Sequence, residues 1–200
     1  MEPLDPLDNA RKRHGNHWLD LVVGASAIAI AVASLLIALR QSQIMERQLA
    51  ASVWPYLQYG TSNTSDEGAK AIRFEIENVG VGPARIHSMS LRYKDKPVRS
   101  TAGLIEACCA DLLAEGKPSR FTSTLHDQVL APNKPKNFIL FNDVPANVRY
   151  WDRLNLERHN VQIKVCYCSV LDDCWMLDSH QTAAQPLAVC PAPQDDDYQD

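Results

Sequence analysis

Six cysteines and six histidines are the side chains of this 200-residue sequence best suited to chemistry. The cysteines, Cys108, Cys109, Cys166, Cys168, Cys174 and Cys190, form an even set. An even set suits disulfides in an oxidising compartment, where six thiols admit fifteen full pairings and spacing alone does not choose among them. Local geometry narrows the choice. Cys108 and Cys109 are neighbours, with Cα atoms about 3.8 Å apart, so they are not expected to pair within a helix. Cys168 and Cys174 enclose five residues, and a hairpin loop of that length sets them opposite each other where a cross-strand bridge fits. Cys166 shares a strand face with Cys168. If a helix over 101–115 covers that face, Cys108 or Cys109 reaches Cys166, and Cys190 is the remaining partner.

The rival chemistry is a metal- or thiol-dependent centre built on Cys166, Cys168 and Cys174, with His180 as an imidazole ligand. The spacing is not that of a zinc ribbon or finger, and there is no C-x-x-C. Nucleophile-elbow, zinc-protease and Walker motifs are also absent from the sequence. His14, His17, His87, His126 and His159 are scattered. His126-Asp127 and Asp178-Ser179-His180 put a carboxylate near an imidazole, as polar loops often do. A net charge of −4 supplies no basic field for nucleic acid. The reading is therefore of a chain with no catalytic residues, no cofactor and no resident metal, in which the cysteines are staples.

What must position the cysteines begins with an anchor. Residues 21–39, LVVGASAIAIAVASLLIAL, carry no charge, and at 1.5 Å per residue they span roughly 28 Å, close to a bilayer's hydrocarbon thickness. Asp20 and Arg40 bracket the run. Ala31-Val32-Ala33 looks like a signal-peptidase site, but cutting there leaves an apolar new terminus, so the segment reads as a retained span over 19–40. Arg11, Lys12 and Arg13 before it outnumber Arg40 and Arg47 after it, which places the N-terminus in the cytoplasm. Ala25, Ala29 and Ala33 recur every four residues and suit close helix packing in lipid. Residues 1–18 read as a disordered arm, and 41–53 as a helical stalk that Pro55 ends.

Beyond the stalk, apolar residues alternate with period two. Ile72, Phe74 and Ile76 interleave with Arg73, Glu75 and Glu77; Val161, Ile163, Val165 and Tyr167 do the same before a return strand over 174–178. Further strands are read at 138–141 and, more weakly, at 54–59 and 121–125. A strand carrying Met89, Leu91 and Tyr93 loses its apolar phase between Ile86 and Met89, which predicts a bulge. Helices are expected over 101–115 and 147–158. The fold class is mainly β: an antiparallel sandwich over 54–182 with one or two helical insertions, then a flexible acidic tail over 183–200.

The stretch Asn78-Val79-Gly80-Val81-Gly82-Pro83-Ala84 resembles the N-x-G-x-G-P-A strand–turn–strand signature of immunoglobulin-like (CARDB-like) sandwich domains in bacterial envelope proteins. With the anchor, stalk and Val53-Trp54-Pro55-Tyr56-Leu57, the chain is similar to a group of bacterial single-pass membrane proteins. In physical terms the two glycines are expected to allow positive φ, and Pro83 to fix the exit from the turn. The helical insertion and the cysteines depart from simple modules of that type. The flanking charges and the cysteines imply an inner-membrane protein with a periplasmic domain; the anchor and stalk imply the lipid bilayer and another protein as its partners, and the acidic balance speaks against nucleic acid.

Overall fold

The computed structural model describes residues 17–200; the expected arm, with Arg11, Lys12, Arg13 and His14, lies outside the described residues apart from its last two. The chain divides into two compact units between Gln48 and Leu49. The first is formed by α1 (His17–Ser52), a 36-residue helix with no buried residue. The expected span and stalk are thus one continuous helix. Its interior holds no proline and a single glycine, Gly24, and its Ser26 hydroxyl is returned to the Val23 carbonyl at 2.8 Å. Helix geometry ends just before Pro55, which has no N–H to offer and restricts Trp54 to extended backbone.

The second unit combines helices with antiparallel sheets. In chain order its elements are β1 (Leu57–Thr64), β2 (Lys70–Asn78), β3 (Ala84–Tyr93), β4 (Lys96–Val98), α2 (Thr101–Leu113), β5 (Phe121–Thr122), β6 (Val129–Leu130), β7 (Pro135–Asn142), α3 (Val148–Glu157), β8 (Val161–Cys168), β9 (Cys174–Asp178) and β10 (Gln185–Leu187). One sheet has the order β1-β2-β7-β5; the other runs β10-β9-β8-β3-β4, with β6 also on β3. The alternating side chains do what their period requires. Ile72, Phe74 and Ile76 of the first sheet join Ile86, Met89, Leu91, Ile163, Val165 and Tyr167 of the second in one buried core.

The helices pack where the sheets leave core uncovered. Leu104 and Ile105 of α2 and Tyr150 and Leu154 of α3 belong to the same cluster. The Tyr150 hydroxyl donates to the Gly116 carbonyl at 2.6 Å, closing the loop after α2. At the far end of α3, Glu157 accepts from the Tyr93 hydroxyl at 2.6 Å, from Asn160 at 2.8 Å and pairs with Lys94 at 2.9 Å. The Tyr93 hydrogen bond, helped by Lys94 and Asn160, outweighs desolvation and holds the Glu157 carboxyl down at about 2.

Two sequence expectations hold here and one changes. The strand bulge is present: Ile86 pairs with Tyr167 and Ser88 with Cys166, leaving His87 as the extra residue. The expected two helices are found within one or two residues of their predicted limits. The flexible tail is not found. Residues 185–187 pair with β9, the Tyr198 and Gln199 amides donate to Met89 and Arg99 carbonyls at 2.8 and 2.9 Å, and Asp200 accepts from the Thr101 amide at 2.6 Å. The acidic run misled because the anchoring group is aromatic. Tyr198 is 4% exposed, stands edge-on to Phe138, and its hydroxyl meets Thr101 Oγ1 at 2.6 Å; burial pushes its own ionisation upward.

Tyr198→Ala is expected to cost roughly 3 kcal/mol, since it empties a core site and leaves Thr101 unpaired. Chemical denaturation of detergent-solubilised protein checks this; a loss below about 0.5 kcal/mol would show that the tail is not docked.

Candidate functional site

Four of the six cysteines, Cys166, Cys168, Cys174 and Cys190, converge on the outer face of the second sheet. In β8 the core takes Val161, Ile163, Val165 and Tyr167, so Cys166 and Cys168 point the other way. Both are nonetheless buried. The chain after β10 crosses this face: Cys190 is bonded to Cys166, and Pro191, Ala192 and Gln194 line a cavity together with Ser88, Ser90, Lys164 and Met176.

Cys168 is bonded to Cys174, directly opposite it in the β8–β9 register, as the five-residue loop predicts. The loop is closed by Ser169, whose amide donates to the Asp173 carbonyl at 2.7 Å and whose hydroxyl accepts from the amides of Leu171 and Asp173. Cys166 is bonded to Cys190, so the expected link from α2 to Cys166 is not made. Cys108 and Cys109 are bonded to each other instead, contrary to the sequence expectation. The expectation assumed regular helix, in which adjacent side chains diverge by about 100°. Cys109 leaves helical geometry at φ −142° and ψ 27°, so the two side chains turn toward each other across a kink. The pair is part of the core, at 7% and 0% exposure.

The two outer-face bridges touch. Cys168 Sγ and Cys190 Sγ, from different bridges, lie 3.7 Å apart. A ring nitrogen of His87 is within 4.8 Å of both, and His87 Nε2 is buried without a hydrogen-bond partner. His87 follows the core residue Ile86 and is the extra residue of the bulge, so it and Ser88 both precede the return of Met89 to the core. His180, the imidazole expected from sequence, is exposed, and its amide donates to Asp178 Oδ1 at 3.0 Å. His126 pairs with Asp127 at 3.1 Å on the surface. With its sulfurs oxidised the cluster offers no thiolate, the form in which cysteine attacks or binds metal.

The N-x-G-x-G-P-A stretch forms the other built site. Asn78 is fully buried and uses all its amide capacity. Its Nδ2 donates to the carbonyls of Gly82 and Leu130 at 2.8 and 2.9 Å. Its Oδ1 accepts from the amides of Gly80 and Tyr56 at 3.1 and 3.2 Å. The glycines are not at positive φ, which among the described glycines is confined to Gly68 and Gly116. They serve close approach instead. A Cβ on Gly82 would sit 1.9 Å from the Val53 carbonyl oxygen, and one on Gly80 would sit 2.4 Å from the Tyr56 nitrogen. The Val81 and Gly82 amides donate to the Trp54 carbonyl. The motif therefore grips the backbone where the chain enters the sheets, a role that turn chemistry alone did not suggest.

Tyr167 completes this end. Its ring stacks on Trp175, its hydroxyl accepts from the Leu57 amide at 3.5 Å, and burial pushes its pKa up to about 12. Ala25, Ala29 and Ala33 lie along the exposed surface of α1. Sequence reasoning missed His87 and Tyr167 as site residues; the phase slip before Met89 was the available signal for the first, and for the second there was none.

A family model described as a domain of unknown function (DUF8453) matches residues 18–178. That stretch takes in α1 from its second residue, the Asn78 turn and five of the six cysteines, but not Cys190. No curated protein and no solved structure matches the chain.

Gly82→Ala is expected to destabilise the domain by several kcal/mol, because its Cβ meets backbone that has no room to move. Asn78→Ala is expected to cost roughly 3–5 kcal/mol by orphaning two amides and two carbonyls. Gly68→Ala is the control, where nothing lies within 4 Å of a Cβ and only the positive φ opposes the change, at roughly 1 kcal/mol. Denaturation midpoints of the three variants check the order.

Proposed function

We propose that this chain, which belongs to the DUF8453 family, is a membrane-tethered, non-catalytic envelope protein whose domain binds another protein, as an accessory subunit of a membrane complex. The observation that carries the tether is the surface of α1. Leu21, Val23, Ile28, Ile30 and Leu35 are each at least 60% exposed, and the helix has no buried residue. Leaving such side chains in water costs roughly 25 cal/mol per Å² of apolar surface. A bilayer removes that cost, and a helix satisfies its own backbone there. Cutting the chain near Ala31-Val32-Ala33 would leave part of the apolar surface behind, which favours an anchor over a leader.

The two antiparallel sheets around one core are read as an immunoglobulin-like β-sandwich with α2 and α3 as insertions. The bridges favour an oxidising compartment, and with the basic residues ahead of the span they support a cytoplasmic N-terminus and a periplasmic domain in the inner membrane. Support for a protein partner comes from apolar side chains presented at one end of the sheets. Val79 and Val81 follow β2, Val129 pairs beside the start of β3, and Val170 and Leu171 cap the β8–β9 loop; all are exposed. Patches of this kind mark interaction surfaces. A tether raises the domain's effective concentration toward other membrane proteins.

In a bacterial host, alkaline phosphatase fused after Asp200 should be active, and a reporter that works only in the cytoplasm should be silent. The reverse pattern overturns the orientation, and release of both fusions into the soluble fraction overturns the anchor. Tagged full-length protein extracted in mild detergent should carry a stoichiometric protein companion. Val81→Asp with Leu171→Asp should remove that companion without shifting the denaturation midpoint. Recovery of monomer alone from the unsubstituted protein sinks the accessory-subunit reading.

A further inference from the structure

Disulfides exchange when a thiolate attacks a bridge sulfur along a path it can reach, and the attacking and leaving sulfurs need not belong to the same bridge. On the outer face of β8 two bridges are stacked so closely that Cys168 Sγ and Cys190 Sγ are 3.7 Å apart. They differ in access. Cys166, Cys168 and Cys174 are buried, at 1%, 2% and 6% exposure, whereas Cys190 is half-buried and follows the exposed Val189. An imidazole without a hydrogen-bond partner on Nε2 stands beside the contact. Staples that only brace a fold need neither the contact nor the base.

We propose that Cys166–Cys190 and Cys168–Cys174 form a thiol–disulfide relay that accepts electrons from a dithiol reductant at Cys190 and delivers them to Cys174, with His87 as its base. This inference rests on the bridges and not on the tether or the partner. In the first step a thiolate of the dithiol attacks Cys190 Sγ. The Cys166–Cys190 bond breaks, and Cys166 leaves as a thiolate and takes up a proton. The second thiol of the reductant, losing its proton, then attacks the reductant sulfur joined to Cys190. The oxidised reductant departs as a disulfide, and Cys190 is freed as a thiolate. His87 keeps it in that form by holding the proton a Cys190 thiol would carry.

In the last step Cys190 Sγ attacks Cys168 Sγ. The Cys168–Cys190 bond forms, the Cys168–Cys174 bond breaks, and Cys174 leaves as a thiolate and is protonated. One dithiol has been oxidised, one bridge has been lost, and the two protons and two electrons reside on Cys166 and Cys174. The tail stays tied to β8 through the new bridge. The loop between β8 and β9, which carries the exposed Val170 and Leu171, loses its cross-strand staple. The relay therefore converts a reductant into a loosened loop without releasing the C-terminal chain.

The test is a bridge map of the full chain in detergent. Protein is treated with one equivalent of dithiothreitol, quenched in acid, alkylated, and digested for mass spectrometry. The expected two-thiol species carries the alkyl label on Cys166 and Cys174 and contains the Cys168–Cys190 bridge. Label on Cys166 and Cys190 with Cys168–Cys174 intact overturns the relay, as does label on Cys168 and Cys174 or on Cys108 and Cys109. For His87→Ala at pH 7, appearance of the Cys168–Cys190 bridge should slow about thirtyfold, the thiolate fraction lost when a cysteine returns to its ordinary pKa of about 8.5. Added imidazole should restore it. An unchanged rate, or a loss that imidazole does not repair, overturns the role of His87.

Discussion

The arrangement of the domain depends on one buried amide. Asn78 ends β2 and, through its four side-chain hydrogen bonds, ties together the entering linker, the crossover between sheets and the short strand β6. Its main-chain carbonyl also accepts from the Asn133 amide at 2.7 Å, at the turn that leads into β7. Where β3 begins is set by this node, because Gly82 and Ala84 lie two residues apart across Pro83. The start of β3 in turn fixes its register on β8, with Arg85 opposite Cys168. A buried polar group that satisfies every partner specifies one geometry, whereas a shifted register would strand four of them in a dry interior. The outer-face sulfurs and the His87 bulge are downstream of that choice.

The three bridges do different physical work. On a chain-entropy view, closing the seven-residue span of Cys168–Cys174 constrains the unfolded chain by roughly 2 kcal/mol, and the longer span of Cys166–Cys190 by roughly 3.5 kcal/mol. The second matters more for architecture, because the chain after β10 has few apolar anchors other than Tyr198. Cys166–Cys190 and Tyr198 together hold a segment whose acidic composition would otherwise favour solvent. Cys108–Cys109 joins neighbours and closes no loop, so it contributes nothing of this kind. Its effect is local: it goes with the break in α2 at Cys109 and presents a compact apolar surface to the core.

Period-two patterning made most of the strands legible, and the helical stripes made α2 and α3 legible, because both signals come from burial along one face. The bulge at His87 was legible for the same reason, as a lapse in that pattern. Other features were not. Turn chemistry points the glycines of the Asn78 turn to positive φ, yet close approach of a sequentially distant backbone explains glycine equally and leaves no trace in the local sequence. Regular helix geometry speaks against a Cys108–Cys109 bond, and the chain abandons that geometry at Cys109. The docked tail was hidden because a single tyrosine among aspartates has no period. For the glycines and the tail the deciding contact is long-range, and local propensity has nothing to say about it; for the cysteine pair it is a local departure from helix geometry at Cys109.

The same distinction separates the apolar N-terminal helix from the cysteine cluster. The apolar run of α1 is a one-dimensional signal, complete in the sequence, and the structure adds only that it lies in one continuous helix with no buried residue. The cluster is three-dimensional throughout. It needs β3 to contribute His87 through a bulge, β8 and β9 to face each other in register, and the C-terminal chain to fold back and deliver Cys190. Four separate segments meet to place two sulfurs of different bridges in contact beside an unpartnered imidazole. Burying the His87 Nε2 without a hydrogen bond carries a desolvation cost that an apolar side chain would avoid. A purely structural staple gives no return on that cost, whereas a site in which a thiolate must form gives one, because the imidazole then has a proton to hold.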